Sequence, residues 1–506
     1  MQLINSTFPL LTIMVAVPLV VSLLILALPP LRRFGRELAL VAAICQLGWI
    51  ILAAVQFNYE SPAAYQLAET HDWIPQFGIS WAMGINALSL VMLLLAGCLV
   101  PLVLIADYER DDAEEGGKYA ALILLLQFFT TLIFATRDLF TFYLAFEGML
   151  IPLYMLIGRY GIGARRKAAA LKLVIYSLVG GLIMLVGIIW IPVMTGGRPG
   201  SFLYENLSAA HLTSGLGWAD MLIFLSFFIA FAIKAPMFPV HTWLSDAAEA
   251  ARPGTSTLLV GVLDKIGTYG MIVVCLNVFP TQAEQAAPYI VVLAIISILY
   301  GAFAALGSKN LLRLISFTSV SHFGFMVMAI FIGSAYAMTG AMVYMVAHGV
   351  TIAGLFLLAG FLIERGGTAT IAEYGGLQRV TPVLAGTFLM TGLASVALPG
   401  LSGFVPEYMI LLGTFEVSPW AAGISVLSVI IAAVYILLPY QTIFTGPVDK
   451  AKSMPDLNFR ERFVVAPLLV AMVVLGVWSA PLVSTLAGYS EQITPNYVAI
   501  MEGSTK

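Results

Sequence analysis

The sequence predicts an all-α, polytopic membrane protein built as one membrane domain, and three observations carry that prediction. Of 506 residues, 60% are hydrophobic and only 10% charged, with a mean hydropathy of +0.97; soluble domains carry about 25% charged residues. The apolar residues gather in runs of about 17–25, the length a helix needs to cross a bilayer. Lysine and arginine are distributed unequally between alternate connections, as they are in proteins whose orientation is set by positive charge.

Fourteen spans are expected, at 9–30, 37–56, 87–106, 118–135, 138–157, 169–194, 219–240, 255–279, 287–306, 311–333, 337–363, 383–413, 420–445 and 463–488. The N-terminal MQLINSTF lacks the basic start of a signal peptide, so 9–30 reads as the first span. Connections after odd-numbered spans hold Arg32, Arg33, Arg36, Arg110, Lys118, Arg159, Arg165, Arg166, Lys167, Arg252, Lys309, Arg313, Arg365, Arg379, Lys450, Lys452, Arg460 and Arg462. The other side holds Arg137, Arg198 and Lys506. This imbalance predicts cytoplasmic odd connections and both termini on the outer side. Two longer outer connections, 57–86 and 195–218, carry Trp73, Trp81, Tyr204 and Trp218, expected as interfacial anchors, with Glu69 and Asp72 as solvated acids. Asp138 with Arg137 is expected as an outer-edge pair or a helix cap.

Residues 1–110 are read as three N-terminal spans, and 118–280 and 287–446 as two five-span repeats. Residues 447–506 hold the last span and a tail. Five spans separate the seventh, interrupted by Pro236 and Pro239, from the twelfth, interrupted by Pro399 and Pro406. An odd interval makes spans 4–8 and 9–13 inverted copies, and similarly broken segments in corresponding positions mark transport sites near the midplane.

Several function classes are excluded. Cys45, Cys98 and Cys275 are isolated, with no CxxC or Cys/His cluster to hold an iron–sulfur cluster or zinc. No Walker A or strand-borne GxGxxG sequence is present for nucleotide or flavin. Neither a metal nor a cofactor is expected in this chain, and its scattered charges do not point to nucleic acid.

What remains is a set of ionisable residues near the middle of their spans: Glu147, Lys234, Lys265, His322, His348 and Glu407. A charge at the bilayer centre costs roughly 2.5–3.5 kcal/mol on insertion scales, so six of them are expected to face one polar interior. Burial disfavours the charged form of a lysine or a glutamate and a nearby opposite charge restores it, while histidine titrates near neutrality. Those residue types suit a proton relay lying along the membrane plane. Taken singly, His322 or His348 fits a hydrogen-bonded core histidine better than a relay. Asp264 is a possible local counter-ion of Lys265, Lys172 reads as an interfacial lysine, and His241 as a proton inlet or a cap.

The segments FEGMLIPLY, FAIKAPMFPVHTWLSDA, LDKIGTYG, LLRLISFTSVSHFGF, AHGVTIAGLF and LPGLSGFVPEYMIL resemble the antiporter-like membrane subunits of respiratory complex I, over about residues 70–450. The resemblance implies a proton-translocating role for Glu147, Lys234, Lys265, His322, His348 and Glu407. It also implies flavin and iron–sulfur clusters in partner subunits, other membrane-arm subunits and lipids as partners, no direct NADH binding, and a place in the bacterial inner membrane. Related sodium/proton antiporter complexes usually have lysine where Glu407 stands, and remain the alternative, as does a non-pumping scaffold. The chain departs from the family pattern at Ser245, Ala248, Phe146 and Asn86, and in having Asp264 beside Lys265.

Overall fold

Apolar runs in the sequence become helices in the structure, a computed structural model that describes residues 3–6, 8–196, 200–209, 217–446 and 454–503. Arg198, Lys450, Lys452 and Lys506 lie outside the described residues. The spans are α1 (Leu10–Ala27), α2 (Gly35–Gln56), α3 (Ala87–Ala106), α4 (Ala113–Ala135), α5 (Leu139–Gly158), α6 (Arg166–Thr195) and α7 (Gly217–Lys234). After a short α8 (Thr242–Ala250) come α9 (Pro253–Leu276), α10 (Pro280–Leu306), α11 (Leu311–Phe331) and α12 (Ala335–Gly366). Two half-length helices, α13 (Pro382–Ser395) and α14 (Phe404–Val417), precede α15 (Pro419–Phe444), α16 (Phe459–Val477) and α17 (Ala480–Gly503).

Among the described residues twelve helices are long and apolar enough to cross a membrane, thirteen if the bent pair α16–α17 counts as one. Of the fourteen expected spans, the interrupted twelfth is split as expected and the last has a different form. The run 383–413 is split into α13 and α14. The run 463–488 is not one helix: the chain bends by 67° after Val477 and continues as α17.

Side chains fix many helix starts by accepting the amide hydrogens that a first turn leaves free. Asn86 caps α3, Asp112 caps α4, Asp138 caps α5, Asn310 caps α11 and Ser334 caps α12. Asp138 is thus a cap; its expected partner Arg137 pairs instead with Glu205.

At the other end of the molecule the connections after odd-numbered spans meet and neutralise one another. Arg252 pairs with Asp111 at 2.6 Å, Arg159 with Glu115 at 2.9 Å, Arg365 with Glu461 at 2.6 Å and Arg110 with Glu364 at 3.3 Å.

The connection 57–86 is more ordered than a cap of loops. It forms a β-hairpin, β2 (Tyr65–Ile74) antiparallel to β3 (Ile79–Ile85), and β1 (Leu3–Asn5) pairs parallel to β2. Gly78 turns the hairpin at a φ of 72°, a conformation glycine adopts without a Cβ penalty. Trp73 and Trp218 are exposed, as interfacial anchors should be, but Tyr204 is fully buried. Glu69 is buried too: it accepts from the Leu11 amide at 2.8 Å and from Thr12 Oγ1 at 2.6 Å, so it ties the hairpin to α1. Asp72 is exposed.

In the interior, α9, α11 and α12 are almost wholly buried, whereas fewer than half of the residues in α1, α2, α6, α10 and α15 are buried. A helix apolar all round belongs in the core of a bundle. The three buried helices carry Lys265, His322 and His348.

Candidate functional site

Two helix breaks set the poles of the site. α7 ends at Lys234 and the chain turns through 235–241 before α8 begins. Pro236 and Pro239 have no amide hydrogen to leave unpaired. Several of the remaining groups find partners within the protein, as buried backbone groups need to. The amides of Ala235 and Met237 return to the carbonyls of Phe231 and Ala232, at 2.7 and 3.0 Å. The Phe238 amide donates to Ser297 Oγ on α10 at 2.6 Å, and Trp243 Nε1 donates to the Ile233 carbonyl at 3.0 Å. Lys234 thereby stands at the C-terminal end of a helix, where the backbone dipole favours a cation.

The second break is the electrostatic mirror of the first. Between α13 and α14 the chain passes through Ala397 and Gly400 with φ of 57° and 90°. Glu407 comes next, in the first turn of α14, where the dipole favours a carboxylate. Pro399 lies in this break, but Pro406 does not. It occupies the first turn of α14, where a missing amide hydrogen costs nothing.

Around Lys234 the polar atoms stand close without bonding. The ammonium is fully buried, lies 5.7 Å from the Phe146 ring centroid, and has no hydrogen-bond partner. Glu147 Oε1 is also buried without a partner. No ion pair joins the two residues, although they lie within electrostatic reach. Gly181 of α6 makes room for the carboxyl: a Cβ there would overlap Glu147 Oε1.

Between Lys265 and Glu407 the groups do connect. Lys265 Nζ donates to the Val260 carbonyl at 2.7 Å and meets His348 Nδ1 at 2.7 Å, 5.2 Å from the Phe323 ring. His348 and His322 are edge-to-face with centroids 5.2 Å apart. Tyr344 lies 5.6 Å from the His322 ring, and its hydroxyl donates to Glu407 Oε2 at 3.1 Å. A small cavity lined by His322, Tyr344, His348, Thr351, Ser395 and Gly403 adjoins them, about 10 Å³ in volume, near the size that one water requires. Sequence reasoning misses Tyr344; its place one helical turn before His348 is the only signal that could have found it.

Asp264 is not the ion-pair partner of Lys265. Its carboxylate is fully buried and neither oxygen has a hydrogen-bond partner. The Lys265 ammonium is turned away, towards α12.

At the basic end, Lys172 is more than an interfacial lysine. It donates to Asp246 Oδ2 at 2.6 Å and to the Thr242 carbonyl at 2.9 Å, while Arg313 holds Asp246 at 2.9 Å and Glu249 at 3.1 Å. Burial works against the Asp246 carboxylate, but the bonds from Lys172 and Arg313 outweigh it and hold it below the usual range. A cavity of about 660 Å³ opens here, lined among others by Arg165, Arg166, Lys172, Asp246 and Glu249. His241 does not cap α8 with its side chain. Its ring is buried against Phe238, Tyr300 and Phe317, and both nitrogens lack partners.

Among the described residues no cluster of three His, Cys, Asp or Glu side chains could hold a metal ion. The arrangement can hold and pass protons.

Comparison with known proteins agrees with this architecture. Residues 136–432 match the family described as NADH:quinone oxidoreductase/Mrp antiporter, TM. The chain is 40% identical to NADH-quinone oxidoreductase subunit M of Mycobacterium tuberculosis, over 95% of this chain and 93% of the relative. It is 35% identical to the Escherichia coli K12 subunit M, over 90% and 92%. A chain of respiratory complex I from Thermus thermophilus superposes with a TM-score of 0.86 at 32% identity, covering 96% of this chain and 99% of that one. A chain of the Mrp complex from a Dietzia species shares the fold, with a TM-score of 0.85 at 22% identity, over 98% and 99%.

Proposed function

The chain belongs to the NADH:quinone oxidoreductase/Mrp antiporter membrane family, and from that membership we propose that it moves protons from the cytoplasm to the outer side of a bacterial inner membrane, as a membrane-arm subunit of an NADH:quinone oxidoreductase. Electron transfer from NADH to quinone takes place in partner subunits that hold the flavin and iron–sulfur clusters. Both termini lie on the outer side, and spans 4–8 and 9–13 work as inverted halves around the two breaks.

The observation that carries the reading is the continuous contact from Lys265 through His348 and His322 to Tyr344 and Glu407. A neutral histidine accepts on one ring nitrogen and donates from the other. With Nδ1 facing Lys265, Nε2 of His348 is free to pass a proton on through water. Tyr344 accepts and donates through one oxygen and links the histidines to Glu407.

Lys234 is the switch. With Glu147 near but not bonded, a small movement at the partner interface strengthens or weakens their attraction, and the lysine gains or gives up its proton accordingly. Moving one charge against 100 mV needs about 2.3 kcal/mol, which a change of one to two pKa units, at about 1.4 kcal/mol each, supplies. The basic cavity lined by Lys172 is the inlet. From Glu407 the proton leaves outward or is held as a signal to the next subunit.

Glu147→Gln and Lys234→Ala in the assembled complex, with proton translocation measured in vesicles against electron transfer, test this. Both should lose translocation. Wild-type proton-to-electron ratios in both would leave only a scaffold. A sodium/proton antiporter would instead show activity that depends on sodium.

A further inference from the structure

Asp264 is a buried carboxylate that the chain of contacts from Lys265 to Glu407 does not use, and no residue role implied by the family resemblance falls on it. Three observations locate it. First, α9 is interrupted by π-helical stretches at Leu259–Leu263 and Met271–Leu276, and the Asp264 amide bonds back to the Leu259 carbonyl at 3.0 Å. A π-bulge inserts a residue and rotates the helix beyond it, and such bulges concentrate at functional sites. Here the bulge ends at Asp264, so it sets the direction in which Asp264 and Lys265, both buried, leave the helix.

Second, α9 packs tightly on α7 at the break. A Cβ on Gly267 would strike the Ala235 amide nitrogen, its Cβ and the Phe231 carbonyl. Asp264 lies three residues before Gly267, and residues three apart share a helix face. The carboxylate is thereby on the α7 face, beside Lys234, while the Lys265 ammonium reaches across to His348 on α12.

Third, the polar atoms here are unspent. Lys234 Nζ and both Asp264 oxygens are buried without hydrogen bonds, and Asp264 is within electrostatic reach of both lysines. A buried carboxylate left unbonded is costly, so one retained between two lysines calls for a use.

We propose that Asp264 is the relay group that carries the proton from Lys234 to Lys265, across the gap between the two halves of the site. The Lys234 ammonium gives its proton to the Asp264 carboxylate, leaving a neutral amine and a carboxylic acid. The acid then gives the proton to a neutral Lys265, restoring the carboxylate and forming the Lys265 ammonium. One proton moves and both lysines exchange charge states, with water bridging where side chains do not touch. The alternative is a fixed negative charge that only balances the lysines.

This inference rests on the proton-relay reading, and the test separates the two. Asp264→Asn and Asp264→Glu are made in the assembled complex alongside Lys234→Ala, with proton translocation measured in vesicles. Asp264→Asn should lose translocation and Asp264→Glu should recover it. Infrared difference spectra taken during turnover should contain a protonated-carboxyl stretch that Asp264→Asn removes. Asp264→Asn translocating at the wild-type ratio would overturn the proposal. So would a wild-type spectrum in which Asp264→Asn removes no carboxyl band, which identifies a fixed counter-charge. If Asp264→Asn prevents assembly, the spectrum of Asp264→Glu decides, through the displaced band of the longer acid. Should Lys234→Ala translocate normally, the relay reading itself fails, whatever Asp264 does.

Discussion

Lys265→Arg separates a proton carrier from a fixed charge. The native ammonium has two buried hydrogen bonds, to the Val260 carbonyl and to His348, each 2.7 Å long. Arginine keeps the positive charge and offers more donors, so a role that needs only charge survives. Releasing a proton is another matter. Reference pKa values for arginine and lysine differ by about 2–3 units, or roughly 3–4 kcal/mol. At 1.36 kcal/mol per tenfold, deprotonation slows by about 10²–10³. The larger guanidinium adds about 1–3 kcal/mol of overpacking, so Lys265→Met, close in length and without charge, serves as the packing control. Proton translocation and electron transfer are measured on assembled complexes of both variants. Loss of translocation in both is expected. An assembled Lys265→Arg complex that translocates at the wild-type ratio would refute the requirement for proton release.

Four more outcomes are expected from the geometry. Gly181→Ala places a methyl on Glu147 Oε1 and should reduce translocation while the complex still assembles, as seen by native electrophoresis. Trp243→Phe strips the bond to the Ile233 carbonyl next to Lys234; an orphaned buried acceptor costs about 1–3 kcal/mol, to be read as a lower melting temperature of the complex. Arg137→Ala leaves Glu205 without its partner, and breaking a buried pair costs about 3–5 kcal/mol. It also removes bonds to Thr70 Oγ1 and the Met83 carbonyl, so thermal stability should fall further than for Trp243→Phe. Finally, the depressed Asp246 carboxylate stabilises the basic end fully above its unfolded value near 3.9 and loses that contribution as pH falls through its lower folded value. Stability measured against pH should therefore lose less between pH 5 and 3 in Asp246→Asn than in the native protein.

The sequence is informative where chemistry opposes the solvent. Lys234, Lys265 and Glu407 are visible because charges are rare and costly in apolar runs, and Pro236, Pro239 and Pro399 because a proline removes a helix hydrogen bond and strains the turn before it. Partnership is not visible. Glu147 and Lys234 read as a pair and stand unbonded; Asp264 and Lys265 are adjacent in sequence and turn to different helices. Both outcomes depend on local helix phase, and the π-stretches of α9 leave no mark in a pattern of hydrophobic residues. Tyr344 escapes notice for another reason: a tyrosine at a helix interior carries no charge to flag it, and its hydroxyl acquires meaning only when α14 brings Glu407 against it. Glu69 and Tyr204 look like surface residues because loops usually are surface, and the hairpin that buries Glu69 is assembled from short strands with one glycine turn.

The two breaks explain why these charges lie inside the helix bundle rather than at its surface. A continuous helix leaves its orphan amides and carbonyls at its ends, outside the hydrocarbon. Breaking α7 and the α13–α14 pair brings two such ends inside, at the cost of peptide groups that must find partners there. Ser297, Trp243 and the Phe231 and Ala232 carbonyls meet that cost at the first break. In return the carbonyl end of α7 steadies a cation at Lys234 and the amide end of α14 steadies an anion at Glu407. Each dipole end contributes about 0.3–1 kcal/mol, up to ~2 in buried geometry, too little to lock either residue in one state. A full salt bridge would hold each charge permanently. Half-helix ends hold them lightly, as the proposed relay requires of charges that must be given up.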